Sequence, residues 1–318
     1  MVAVLGTGAL TPVGLSARET SASVRAGIVR SRESDRLDPD GAPYITASVP
    51  DGPPSTGWQA RSISGDVSAR HARLLRLAAA AICEAVSIAG ARWPAFVGIP
   101  EDILEDATFL VELARLTEDR IDPRASHLVR GGREAGCAAI AAAIAAGCPN
   151  AVAGGVDSLV DPEAMSPLAL EGRIRSDNAP SGFVPGEGAG FLALGADRSG
   201  TGSRIDRALA QRSPELSSAI AELCSRDSGP LFSHVSASMN GEARWALPWA
   251  VTRARHGARF SSDLFLDHPA ECYGDIGAAS GPVMAGLATI DSRRGRTLVY
   301  ASSDDEFHGL IALSTGGR

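Results

Sequence analysis

Residues Ala151–Ser158, AVAGGVDS, and Gly182–Gly195, GFVPGEGAGFLALG, decide how this chain is read. The first is an apolar run closing on two glycines and an acid, and it reads as a buried strand with its core at Ala151–Gly154. The second is punctuated by Pro185-Gly186-Glu187-Gly188. Proline fixes φ and glycine permits φ > 0. The spacing therefore predicts two short strands, Phe183–Val184 and Ala189–Leu194, joined by a tight turn. The glycine pairs carry no side chains, so other backbone can approach them closely.

Working outward, Glu134–Ala146 is almost all Ala and Ile and reads as a helix buried on every side. Before it come a strand at Ala95–Ile99, a helix at Glu105–Glu118, and a strong helix at Ser68–Ala89. In that last helix Leu74, Leu75, Leu77, Ala78, Ile82 and Val86 recur at helical spacing, and Gly90 stops it. The chain opens with a strand at Val2–Leu5, the turn GTGALTPVG, and a helix to about Gly27 that starts on a Ser16/Glu19 capping box. Residues 30–66 form a polar excursion with one strand at Tyr44–Val49. Downstream, DRSGTGSR (197–204) marks a seam between halves. Helices are expected at Ser213–Ser225, at Gly241–His256 with a kink at Pro248, and at Asp275–Ile290. Strands are expected at Leu231–Val235, Phe260–Leu266, Thr297–Ala301 and Leu310–Leu313. Strands alternating with helices imply a mostly parallel sheet covered on both faces, an α/β fold.

Composition narrows the function classes. A chain of 318 residues with 44% hydrophobic content buries a substantial core. The net charge of −7 argues against nucleic-acid or anionic-membrane partners. The sequence contains no lysine, which removes Schiff-base chemistry. Cys83, Cys137, Cys148, Cys224 and Cys272 are scattered, with no CxxC pair, implying a reducing cytoplasm rather than a disulfide framework. MVAVLGTGAL has no basic region ahead of an apolar one and does not read as a signal peptide, and no apolar run is long enough to span a bilayer. GTGALTPVG is neither a phosphate-binding loop nor a dinucleotide fingerprint, and metal-ligand spacing is absent. No cofactor or metal is expected.

The strand ending AGGVDS followed by GFVPGEGAG resembles the central segment of the β-ketoacyl synthases, condensing enzymes of the thiolase superfamily. The opening strand, small-residue loop and helix, and the turn CYGDIGAASG (Cys272–Gly281), resemble the same family. The resemblance implies a thiolase-like α/β fold: two similar halves, 1–198 and 199–318, in a five-layer α-β-α-β-α arrangement. It also implies a nucleophilic cysteine at the N-terminus of the buried helix, where the dipole and free N–H groups lower a thiol pKa and form an oxyanion hole. Counting back from Ala153-Gly154-Gly155, that position falls at Val129-Arg130-Gly131, where Arg130 or a neighbouring glycine takes its place. Cys137 lies further along the helix. The family's first catalytic histidine matches His234 in FSHVSASMNGE. The second falls at Gly274, beside Asp275. The accompanying lysine is absent. The loop that gates the acyl pocket in the family matches SSDDEFHG (Ser302–Gly309), where Phe307 keeps a gating side chain and Asp304 and Asp305 bring charge.

Three functions follow from the resemblance. One is a ketosynthase-like protein without condensing activity, binding an acyl chain or pairing as a homodimer, or as a heterodimer with an active ketosynthase. Its expected partners are an acyl carrier protein or acyl-CoA in fatty-acid or polyketide-type metabolism. The second is an acyltransferase of the 3-oxoacyl synthase type with a rewired site using Cys137, or His234 with Asp275. The third is a structural homodimer in a larger assembly. The resemblance also places the AVAGGVDS strand at a two-fold interface. Arg130 at a helix N-terminus would bring positive charge to a positive dipole end. It is therefore expected to pair with Asp275, Asp304 or Asp305, or to bind an anionic ligand.

Overall fold

The computed structural model describes residues 1–51, 62–63, 67–104, 106–196, 202–225, 229–291 and 295–316. The first half runs β1 (Val2–Leu10), α1 (Ala17–Arg25), a hairpin of β2 (Arg32–Leu37) and β3 (Pro43–Thr46), α2 (Ala69–Ala85), β4 (Ala95–Ile99), α3 (Asp106–Leu116), β5 (His127–Arg130), α4 (Ala135–Ala146), β6 (Asn150–Ser158), α5 (Pro162–Leu170) and β7 (Glu187–Gly195). The second half runs β8 (Arg204–Arg212), α6 (Leu216–Cys224), β9 (Phe232–Ala237), α7 (Ala246–Arg255), β10 (Phe260–Asp267), α8 (Ala270–Tyr273), α9 (Ser280–Ile290), β11 (Arg296–Ser302) and β12 (Phe307–Ser314).

The strand order repeats. The first half reads β1-β7-β6-β4-β5 and the second β8-β12-β11-β9-β10. In each, the first two pairings are antiparallel and the last two parallel. A short antiparallel contact, Val2 with Ile205 and Ala3 with Arg204, joins the halves edge to edge into a ten-stranded sheet. Helices α4 and α9 lie between the two halves. α4 packs on β4 and β6 from one side and on β8 and β12 from the other, while α9 packs on β7 and β11. Helices α2 and α3 cover the outer face of the first half, and α6 and α7 that of the second. This gives five layers.

Local chemistry accounts for the elements. Ser16 caps α1 by accepting from Glu19 N at 3.2 Å, while Glu19 accepts from Leu15 N at 2.9 Å, one residue short of a reciprocal capping box. Ser68 caps α2 through His71 N. Val152 and Val156 of β6 are fully buried, each contributing roughly 1.5–3 kcal/mol. A Cβ on Gly155 would overlap the carbonyl oxygen of Ala278, so the double glycine is where the segment leading into α9 approaches β6.

Several expectations are corrected. Residues 183–195 do not form a hairpin. Val184 O accepts from Asp275 N at 2.8 Å, Pro185 O from Ala47 N at 2.8 Å, and Asp275 O from Gly186 N at 2.7 Å. The segment is pinned to its neighbours instead of folding on itself, and only β7 is a strand of the main sheet. Pro248 causes no break, because it lies in the first turn of α7, where its missing N–H has no intrahelical partner to lose. β6 is an interior strand between β4 and β7, covered by α2 and α4, so its apolar character is satisfied within the chain rather than by a two-fold partner. β5 and β8 were not anticipated. The proposed 198/199 boundary falls outside the described residues.

Candidate functional site

A cleft of about 290 Å³ opens where the C-terminal ends of β4, β5, β6 and β11 converge. Its wall on one side is apolar, from Leu159, Leu168 and Phe183. Gly131, Gly132 and Arg133 enter from the turn between β5 and α4, Asp157 from the end of β6, and Ser303, Asp304 and Asp305 from the turn between β11 and β12. Both halves therefore contribute to one site.

An ion network closes one flank. The buried Arg133 donates from Nε to Asp275 Oδ2 at 2.7 Å and from Nη1 to Asp304 Oδ1 at 3.2 Å and the Ser302 carbonyl at 3.3 Å. Arg173 donates to Glu242 at 2.9 Å and to Asp304 at 2.6 Å, and Arg244 reaches the same two carboxylates at 3.0 and 2.8 Å. Asn240 bridges Asp275 and Glu242 at 2.9 and 3.1 Å. The guanidinium carbons of Arg133 and Arg244 both lie over the Trp245 ring, 5.1 and 4.7 Å from its centroid. Three guanidinium groups thus meet three carboxylates. Burial alone would lower the pKa of Arg133, but Asp275 and Asp304 outweigh it and hold the charge in place. Burial also works against ionisation of Glu242, yet Arg173, Asn240 and Arg244 bring it down to about 2.

Asp157 behaves in the opposite way. It is buried at the cleft and accepts from Ala278 N at 3.0 Å and Ser158 N at 2.8 Å, with Arg70 3.9 Å away. Burial dominates and raises its pKa to about 6. Glu134, at the head of α4, is likewise raised by burial.

The expected site residues fall in different places. Asp275 is at the centre of the ion network. Its arginine partner is Arg133, not Arg130: Arg130 ends β5 and donates from Nε to the Ile103 carbonyl at 2.7 Å. The turn RGGR carries an arginine at each end, and the one that pairs with the carboxylates lies three residues beyond the one expected to. Gly274 sits where a side chain is disfavoured. Its φ is +76° and a Cβ would lie 2.7 Å from Val184 O, so the neighbouring Asp275 supplies the side chain. Cys137 is fully buried inside α4, where Cβ atoms on Gly281 or Gly309 would collide with it, and burial drives its thiol pKa up. His234 sits mid-strand in β9, bonded to Thr297 Oγ1 at 3.2 Å and Asp267 Oδ2 at 3.0 Å, against α1 and α9. The end of β9 that turns to the network carries Ser238 and Asn240. Cys137, His234 and Asp275 are therefore not one constellation. Asp304 and Asp305 line the cleft, whereas Phe307 opens β12 and pairs with Arg212. Asn240, Glu242, Arg173 and Trp245 went unforeseen; Glu242, eight residues past His234, was quoted only as the end of a motif. Among the described residues that line the cleft there is no cysteine or histidine.

No family model matches the sequence, and no curated protein matches it. Solved structures do match in fold. A type II polyketide ketosynthase, solved with its acyl-carrier protein and a bound hexaketide, is 13% identical with a TM-score of 0.75, over 99% of both chains. The ishigamide ketosynthase/chain length factor is 15% identical with a TM-score of 0.78, again over 99% of both. The oxazolomycin ketosynthase domain of Streptomyces albus JA3453 is 14% identical with a TM-score of 0.78, over all of this chain and 75% of its own. At such identities the likeness is one of fold: the chain has the thiolase-like, five-layer α/β architecture of ketosynthases.

Proposed function

We propose that this protein is a ketosynthase-fold subunit without condensing activity, which holds an acyl chain or pairs with an active ketosynthase in fatty-acid or polyketide-type metabolism. The observation that carries the reading is the charge-balanced network of Arg133, Arg173 and Arg244 with Asp275, Asp304 and Glu242 at the head of α4, where the fold's condensing members need a thiol and imidazoles. A guanidinium has no lone pair to attack a thioester and cannot shuttle a proton near neutral pH. The apolar wall of Leu159, Leu168 and Phe183 suits an acyl chain.

The ishigamide structure pairs a ketosynthase with a chain length factor, and the type II structure holds an acyl-carrier protein. By analogy of fold, a ketosynthase-like partner or a carrier protein is the expected companion. Assembly as a homodimer or heterodimer and a cytoplasmic location belong to the same proposal. No helix among the described residues is long and apolar enough to cross a membrane. The test is a condensation assay with acyl and malonyl thioesters on the wild type and on Arg133→Cys. Neither is expected to form a β-ketoacyl product, because a restored thiol would still face Asp275 rather than imidazole. Product from either protein would refute the reading.

A further inference from the structure

The loss of a thiol does not leave the head of α4 without a nucleophile. Ser303, from the turn between β11 and β12, places its hydroxyl there. The hydroxyl donates to Glu134 Oε2 in a short hydrogen bond and accepts from Glu134 N at 3.3 Å. Ser303 lines the cleft, and Glu134 lies behind it, buried. The two glycines before the helix are shaped around this pair. A Cβ on Gly132 would stand 2.6 Å from Ser303 Oγ, and one on Gly131 would overlap Glu134 Oε1. The turn that presents Ser303 is itself closed by Ser303 N donating to Phe307 O at 2.9 Å.

We propose that Ser303 and Glu134 form a nucleophile–base dyad that acylates Ser303 from a thioester or activated ester entering the cleft. The inference rests on the cleft being an acyl site, as proposed above. In the step, Ser303 Oγ attacks the acyl carbonyl carbon and its proton passes to Glu134 Oε2. The C–S bond then breaks, and the departing thiolate takes the proton from Glu134, leaving an ester on Ser303 and an ionised carboxylate. Water repeats the sequence and releases the acid, so the net change is thioester plus water to acid plus thiol. Burial keeps Glu134 more basic than a surface carboxylate, which suits it to accept the proton. The positive end of the twelve-residue α4 faces the charge that develops on the carbonyl oxygen.

The test uses the full chain with two probes, p-nitrophenyl acetate and hexanoyl-N-acetylcysteamine. Intact-mass and peptide mapping would locate any adduct, and binding of a non-cleavable hexanoyl ketone analogue would be measured alongside. An ester on Ser303 is expected, absent in Ser303→Ala and formed about 100-fold more slowly in Glu134→Gln. Ser303→Cys should be alkylated by iodoacetamide at that position in the folded protein. An adduct mapping elsewhere, or none, would overturn the dyad, and Ser303 would be only a helix cap supplied from another segment. In that event, retained binding of the ketone leaves the acyl-site reading standing, whereas loss of both removes it. The condensation assay is separate, so serine acylation without a β-ketoacyl product agrees with both proposals.

Discussion

At Arg133, one side chain decides what the cleft can do. Its guanidinium is buried and its charge is matched by Asp275 and Asp304. Removing one partner from a buried pair is costly, because the other charge stays behind without compensation. Arg133→Ala is expected to lower stability by about 3–5 kcal/mol in urea denaturation. Replacing the pair together, Arg133→Met with Asp275→Leu, should recover most of that loss. If the double variant is no better than the single one, the network is not a coupled unit. Cys137 gives a second check at this scale. Its place inside α4 predicts that iodoacetamide leaves it unmodified in the native protein and modifies it after unfolding. The sequence reading set Arg130 against Asp275, Asp304 or Asp305, or an anionic ligand, whereas the arginine that meets Asp275 and Asp304 is Arg133. RGGR offers two, and only the turn geometry separates the one that ends a strand from the one that enters the site. Trp245 and Glu242 were expected inside a continuous helix at Gly241–His256, whereas Glu242 precedes and Trp245 ends a one-turn helix at Ala243–Trp245 that has no periodicity to separate it from the helix after it.

Among the elements, those with strong patterns were readable to within a few residues. Ala95–Ile99 was recovered as written, and α2 and α4 begin one residue after their expected starts. Their cores are apolar on a fixed period, and Ser68 marks the entry to α2. β8 was missed because RIDRALAQR mixes charged and apolar residues without strict alternation and is only half-buried, so it lacks a strand's usual apolar face. The 182–188 segment misled for a different reason. Proline and glycine signal a turn, but only tertiary contacts decide what the turn pairs with. Here it pairs with Asp275 and Ala47, so the positive φ of Gly274 becomes part of the site's frame. A histidine placed at Gly274 would meet both the left-handed backbone and the Val184 carbonyl. Gly274→His is expected to cost more than about 2 kcal/mol and to broaden the unfolding transition. A variant as stable as the wild type would mean that the turn has room to rearrange.

Over the whole molecule, the repeated strand order is the feature with the widest consequence. We propose that the halves 1–198 and 199–318 are the units of the fold, with the ion network as the clasp between them. Arg133 and Arg173 come from the first half, and Glu242, Arg244, Asp275 and Asp304 from the second. The five-layer arrangement was foreseen from the family resemblance rather than from periodicity. Periodicity identifies strands and helices but cannot state that two sheets stack on shared helices.

The same site gives the molecule a pH dependence whose two limbs have opposite signs. Glu242 titrates at about 2 in the folded chain against an ordinary value of 4.5, so its contribution is present above the ordinary value and is lost as pH falls toward 2. Asp157 is the reverse: its pKa is about 6 in the folded chain against 3.8. Between those values the native state holds a proton that the unfolded chain has released. Stability therefore falls as pH rises through that window, then levels off once both states are ionised. The shift corresponds to about 3 kcal/mol. Asp157→Asn removes this titration, whatever fixed cost the amide brings beside Ala278 N and Ser158 N. The stability difference between Asp157→Asn and the wild type should therefore move in the variant's favour from pH 4 to pH 6 by about 3 kcal/mol and stay level above. Glu242→Gln should show its pH-dependent difference only below pH 4.5, where the wild type sheds its advantage. Urea denaturation of the three proteins between pH 3 and 8 separates the limbs. A flat difference for Asp157→Asn across pH 4–6 would mean that Asp157 ionises as freely in the cleft as in the unfolded chain. The cleft floor would then already carry its negative charge at pH 5, where this structure keeps the Asp157 carboxyl protonated until near pH 6.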